Sequence, residues 1–236
     1  MKSRQKFKKS SYKGNRFANY SIEMYLGEVR SGKTLTMVAE TYEQTKGTDA
    51  KVYSNIHLNK KLFPRYKYIT RQDLIGYYNK KEQFKNAIFL IDEIHIFADA
   101  RKFMNKDNQA IGYFVGQMGK RGNTLRGTTH FDDLIDYRIR LYCERWVYIE
   151  KGLLEGRKWK PILNNNRILT KEENKVLCIK ATSIVRKMLN YKFYSVPIEK
   201  KYVMAEQYFE LYDTEEVVGV DDTIVLEQKE KEKIKV

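Results

Sequence analysis

Apolar positions along the first two thirds of the chain fall into two alternating patterns. Short apolar or alternating runs predict strands at Ile22 to Leu26, Lys51 to Ile56, Leu125 to His130 and Trp146 to Glu150. In the second of these, Val52, Ser54 and Ile56 alternate with Tyr53 and Asn55. Ala87 to Ile91 is apolar without interruption, the pattern of a parallel strand buried on both faces. Between these runs the period changes to that of a helix. Leu35, Val38, Ala39 and Tyr42 share one face of a helix over Leu35 to Gln44, and Gln72 to Tyr78 predicts a shorter one. Ala110, Ile111, Phe114, Val115 and Met118 form a third stripe, with Gly119 and Gly122 at its end. Strands alternating with helices predict an α/β fold with a mainly parallel sheet and crossover helices.

After about Gly152 the rhythm changes. Asn164, Asn165 and Asn166 mark a turn, and Val176 to Val185 and Lys192 to Pro197 are strand candidates whose place in a sheet the sequence leaves open. The expected organisation is a basic N-terminal arm (1–18), an α/β core (19–152), a C-terminal extension (153–213) and a charged tail (214–236). The aromatic string Tyr208 to Asp213 is either a small core or a docking surface, with weight on the core.

Charge sharpens this picture. Forty-five Lys and Arg face 30 Asp and Glu, a formal balance of +15. The excess is unevenly spread, which favours a polyanionic partner, nucleic acid or an anionic membrane, over a mere solubility charge. Cys143 and Cys178 give neither a disulfide framework nor a metal-ligand spacing, which fits a reducing interior. No apolar run approaches the length of a membrane span, and no apolar segment follows the basic N-terminus as a secretory signal requires. The expectation is a soluble protein of the cytoplasm.

Two motifs carry chemistry. Gly27-Glu28-Val29-Arg30-Ser31-Gly32-Lys33-Thr34 fits G-x-x-x-x-G-K-[ST] between a predicted strand and a predicted helix. Glycines let the backbone curl so that successive N–H groups converge on one anion, and the following helix adds its positive end. The loop is expected to hold the triphosphate of ATP, with Lys33 on the β- and γ-phosphates and the Thr34 hydroxyl on Mg²⁺. Downstream, the strand over Ile88 to Ile91 delivers Asp92 and Glu93 at its C-terminal end, where open α/β sheets bind ligands. Asp92 is expected to orient the water shell of Mg²⁺, and Glu93 to polarise the attacking water. His95 makes the string Asp-Glu-Ile-His, which is similar to the second motif of one helicase class; those enzymes need two such domains.

The order of further strings resembles the FtsK/HerA superfamily of ring-forming, DNA-translocating ATPases. The closer likeness is to its viral branch of genome-packaging ATPases and zonula-occludens-toxin-like proteins. The matching features run from about Tyr20 to Tyr148: the phosphate loop, Tyr53 to Ile56, Asp92-Glu93, Ala100-Arg101, Gln117 to Gly122, Thr128 to His130 and Asp136 to Arg140. The resemblance implies a RecA-like P-loop NTPase fold of the ASCE type, a central mainly parallel sheet flanked by helices with a small C-terminal extension, and ATP and Mg²⁺ as its cofactors. It implies a γ-phosphate sensor at His130, where the family more often has Gln. It also implies an arginine finger acting on a neighbouring subunit, Arg121 first, Arg140 or Arg138 otherwise. The function so implied is an ATP-driven double-stranded DNA translocase packaging a viral genome. It would work as a hexameric or pentameric ring in the host cytoplasm or at the virion, with capsid proteins as further partners. A helicase-like or conjugation-type motor, and an ATP-dependent virion assembly or secretion factor, are the alternatives. Expected DNA contacts are the N-terminal arm, Lys80-Lys81 and Arg101-Lys102.

Overall fold

Both faces of the predicted central strand are covered. In the computed structural model, Ala87–Ile91 is a strand whose five residues are all buried. The structure describes residues 20–79, 84–102, 104–189 and 192–212; the N-terminal arm, Lys80-Lys81 and the charged tail lie outside these. The strands are β1 (Ile22–Leu26), β2 (Lys51–Ser54), β3 (Tyr66–Tyr68), β4 (Ala87–Ile91), β5 (Thr124–Thr129), β6 (Arg145–Glu155), β7 (Lys158–Pro161), β8 (Leu177–Leu189) and β9 (Lys192–Met204). The helices are α1 (Lys33–Thr45), α2 (Arg71–Asn79), α3 (Ile94–Phe97), α4 (Lys106–Gly116), α5 (Tyr137–Tyr142) and α6 (Lys171–Lys175). Every strand and helix the periodicity predicts is present. β3, β7, α3, α5 and α6 are additional, and each is six residues or shorter.

One mixed sheet runs β3-β2-β4-β5-β1-β6-β8-β9, with β7 paired to β6. From β3 to β6 all neighbours are parallel, and β6, β8 and β9 continue it antiparallel. The two late strand candidates therefore form a long hairpin that extends the same sheet. Strand alternation divides the core. Met24, Phe89, Ile91 and Leu125 meet α3, α4 and α5 through Ile94, Phe114, Val115 and Ile139. On the other face Tyr25, Ile88, Leu90, Val147 and Ile179 meet α1 through Leu35, Val38 and Ala39. The segment Ala205–Leu211 packs on that second face beside α1, so Tyr208, Leu211 and Tyr212 join the core, as weighted.

A second kind of core lies beneath α1. Arg126 of β5 is fully buried, and its guanidinium donates to Glu23 Oε1 at 3.0 and 3.1 Å, to Thr41 Oγ1 at 2.7 Å and to Gln44 Oε1 at 2.6 Å. Arg145 of β6 donates to Glu23, to Glu40 at 2.8 Å and to Ser183 of β8 at 2.8 Å. The Tyr25 hydroxyl donates to Glu40 Oε2 at 2.8 Å. Two guanidiniums thus balance two carboxylates and join β1, β5, β6 and β8 to α1. Burial by itself would raise the Glu40 pKa, but hydrogen bonding and charge from Arg145, with Arg126, outweigh it and hold Glu40 at about 2, below its ordinary 4.5. A depressed carboxylate stabilises the fold above its unfolded value and loses that contribution as pH falls through the folded one. Stability is therefore expected to drop by roughly 3 kcal/mol between about pH 4.5 and pH 2 from this group alone. Denaturant midpoints at pH 5 and pH 2.5 measure it, and Glu40→Gln should flatten the difference; equal wild-type midpoints would contradict it.

Candidate active site

The turn between β1 and α1 is shaped by its glycines. Gly32, the residue before α1, has φ +96°, and a Cβ there would lie 2.2 Å from Ile179 Cδ1. A Cβ on Gly27 would lie 2.7 Å from the Ile149 carbonyl oxygen. Both the hand of the turn and the close approach of β6 and β8 thus require glycine. Arg30 also has a left-handed backbone, φ 58°. The Lys33 ammonium donates to the carbonyls of Gly27 at 3.1 Å and Glu28 at 2.9 Å, so it lies across the loop. Ser31 Oγ is buried within the loop and has no hydrogen-bond partner among the described residues.

The strand order brings the acids to this loop. β5 stands between β1 and β4, so the ends of all three strands converge. The Thr34 hydroxyl donates to Asp92 Oδ1 at 2.7 Å, and the Thr128 hydroxyl donates to the same oxygen at 2.6 Å. Asn55, just past β2, holds the Asp92 backbone from both sides: its Oδ1 accepts from the Asp92 N–H at 2.7 Å and its Nδ2 donates to the Asp92 carbonyl at 2.9 Å. Glu93 has φ 49°, a left-handed conformation rare outside glycine, and its N–H donates to Thr128 Oγ1 at 2.9 Å. Such a backbone persists where its surroundings fix it, as Asn55 and Thr128 do here.

Two histidines flank Glu93. His130 Nε2 lies 3.5 Å from Glu93 Oε1, while His130 Nδ1 lies 3.1 Å from Lys33 Nζ. His95 Nδ1 lies 3.3 Å from Glu93 Oε2 but makes no hydrogen bond with it. Burial lowers the His95 pKa, partly opposed by the Glu93 charge. Burial also lowers that of Lys33, with Glu93 and Asp92 acting the other way. An anion placed against Lys33 would favour its charged form further, opposing the effect of burial.

The sequence-predicted residues Gly27 to Thr34, Asp92, Glu93 and His130 are therefore brought together. Arg121 is not with them. It ends the short turn Gly119–Arg121 before β5, donates to Gln117 Oε1 at 2.7 Å, and its carbonyl accepts from the N–H of Asn86, just before β4. It sits at the opposite end of the parallel strands, a strand's length or roughly 15 Å from this chain's own loop. Arg138 and Arg140 lie on α5, which leads from β5 to the start of β6; Arg138 pairs with Asp136 at 3.1 Å. Arg101 is exposed and paired with Asp99 at 3.0 Å.

A cleft of about 330 Å³ opens over the loop, and it has lining residues that sequence reasoning missed. Lys151, near the end of β6, faces it; burial lowers its pKa and the Arg30 charge lowers it further. Tyr212 also lines it, its hydroxyl pKa raised by burial and then by Asp92. No local pattern marks Lys151, and the sequence offers Tyr212 only as part of the aromatic string Tyr208 to Asp213, with no sign of a place in this cleft. Asn55 and Thr128 did carry a signal, since each lies in a polar string at a strand end, where open sheets place ligands. Among the described residues no group of three His, Cys, Asp or Glu could hold a metal ion, and no helix is long and apolar enough to cross a membrane.

No family model matches the chain, and no curated protein matches it. Among solved structures, it is similar to the N-terminal domain of zonular occludens toxin from Neisseria meningitidis, with TM-score 0.48 and 17% identity over 82% of this chain and 99% of that one. It is also similar to the genome packaging NTPase B204 of Sulfolobus turreted icosahedral virus 2, in complex with AMP, with TM-score 0.43 and 8% identity over 76% and 98%. The flagellar accessory protein FlaH from Methanocaldococcus jannaschii gives TM-score 0.43 and 13% identity over 75% and 89%.

Proposed function

We propose that this chain is a Mg²⁺-dependent ATPase whose hydrolysis drives the movement of double-stranded DNA. One observation carries the ATPase reading: a phosphate loop, its lysine, the Thr34–Asp92 pair and Glu93 occupy one cluster at the C-terminal ends of β1, β4 and β5. The donor set fits the ligand. The glycine-shaped turn, the Lys33 ammonium and the unpartnered Ser31 hydroxyl suit phosphate oxygens, and Thr34 with Asp92 suits Mg²⁺, which takes few protein ligands alongside phosphate and water. Mg²⁺ neutralises charge on the phosphoryl oxygens when bound. Glu93 takes a proton from the water that it orients, while Lys33 draws charge toward the terminal phosphate. In this reading His130, which contacts both Lys33 and Glu93, registers the γ-phosphate.

The coupling to DNA rests on the +15 balance and the order of motifs. A basic surface holds the phosphodiester backbone without reading bases. In this reading a ring of five or six copies encircles the duplex, packaging a viral genome, with capsid proteins as further partners. Arg121, remote from its own loop, then serves the loop of the next copy. The test is phosphate release by the purified protein with Mg²⁺, with and without double-stranded DNA at low salt. Stimulation of several-fold that fades with added salt is expected; an ATPase indifferent to DNA would leave the enzyme but remove the translocase.

A further inference from the structure

Beyond the phosphate loop, the cleft has a second wall, built by the part of the chain that follows the core motifs. Leu177 and Ile179 of β8 line it, together with Phe209 and Tyr212. The residues of the phosphate loop thus share the cleft with apolar side chains and an aromatic ring, the mixture expected of a site for an anionic tail on a flat apolar head.

We propose that Phe209 is the stacking platform for the nucleobase, so that the C-terminal segment completes the nucleotide site. The inference rests on the nucleotide reading of the loop. Phe209 is 41% exposed, although Leu211, two residues on, is 2% exposed and Tyr208 packs on the core. The segment that carries the ring is held on two sides. The Asn59 N–H donates to the Leu211 carbonyl at 2.9 Å, Asn59 Nδ2 donates to the Glu210 carbonyl at 3.0 Å, and Leu58 forms a β-bridge with Tyr212. On the other side the Tyr208 hydroxyl reaches Glu43 of α1 at 3.4 Å. A half-exposed aromatic ring on an anchored backbone thus lines the cleft, where stacking costs little ordering entropy. Ile179 packs directly against Gly32, which fixes the distance between this wall and the loop. Stacking on an aromatic face tolerates any base, so the wall supplies affinity for the base while the loop supplies affinity for the phosphates.

The experiment is calorimetric titration of wild type, Phe209→Ala and Phe209→Trp with two Mg²⁺-loaded ligands, a non-hydrolysable ATP analogue and inorganic tripolyphosphate. Phe209→Ala should weaken the ATP analogue about 10-fold and leave tripolyphosphate within about two-fold. Phe209→Trp should restore analogue binding. Thermal melts control for folding, which truncation of a half-exposed ring perturbs little. Unchanged analogue affinity in Phe209→Ala overturns the proposal, and so does an equal loss for both ligands, which would place the effect in the phosphate cradle. A wild-type protein that binds neither ligand would instead remove the nucleotide reading of the loop.

Discussion

Lys33→Ala is expected to reduce ATP hydrolysis to background in a protein that remains folded. The Lys33 ammonium lies across the loop, within 3.1 Å of both the Gly27 carbonyl and His130 Nδ1. Its removal takes the loop's lysine charge from the point where the terminal phosphoryl charge develops. Glu93→Gln should behave differently. It keeps the shape and the backbone hydrogen bond to Thr128 but cannot accept a proton, so turnover should fall by roughly 10²- to 10⁴-fold while nucleotide affinity stays near wild type. Steady-state phosphate release with equilibrium nucleotide binding separates the two variants. Hydrolysis that persists in folded Lys33→Ala protein would remove the site assignment altogether.

The second large effect is on stability. Arg126→Met is expected to destabilise the fold by about 3–5 kcal/mol, because it leaves Glu23 with less than its full complement of positive partners in a dry interior. Replacing a whole buried ion network by apolar groups can be nearly neutral, but removing one member strands its partner. The double variant Arg126→Met with Glu23→Leu should therefore recover part of the loss. Denaturant midpoints of the single and double variants measure the coupling; a single variant within about 1 kcal/mol of wild type would refute the role given to the network. The network also has a functional consequence. It ties α1 to β1 and β5, and these elements carry Lys33, the loop and the Thr128–His130 string. Loosening it should disturb the site even where folding survives.

How far the site could be read in advance depends on the range of the signal. The loop Gly27 to Thr34 and the acids Asp92 and Glu93 were legible, because each is a local string whose residue types follow from its own chemistry. His130 was legible only through resemblance, and its neighbours in space explain why. Its partners Lys33 and Glu93 lie 97 and 37 positions away along the chain, and nothing local to His130 announces either. Arg126 lies within the strand predicted over Leu125 to His130 and Arg145 just before the one over Trp146 to Glu150, and nothing local announces that each is buried against an acid from a different element.

By itself the sequence determined the succession of strands and helices and the presence of a phosphate loop and an acid pair. Side-chain period, glycine placement and strand ends are properties of a few neighbouring residues. Only the tertiary structure decided that β5 lies between β1 and β4, that Asn55 and Thr128 hold the acids in place, and that the late hairpin and Phe209 wall the cleft. These are long-range pairings. They are chosen by how apolar faces and buried charges can be satisfied together across the whole sheet, and no short stretch of chain carries that information.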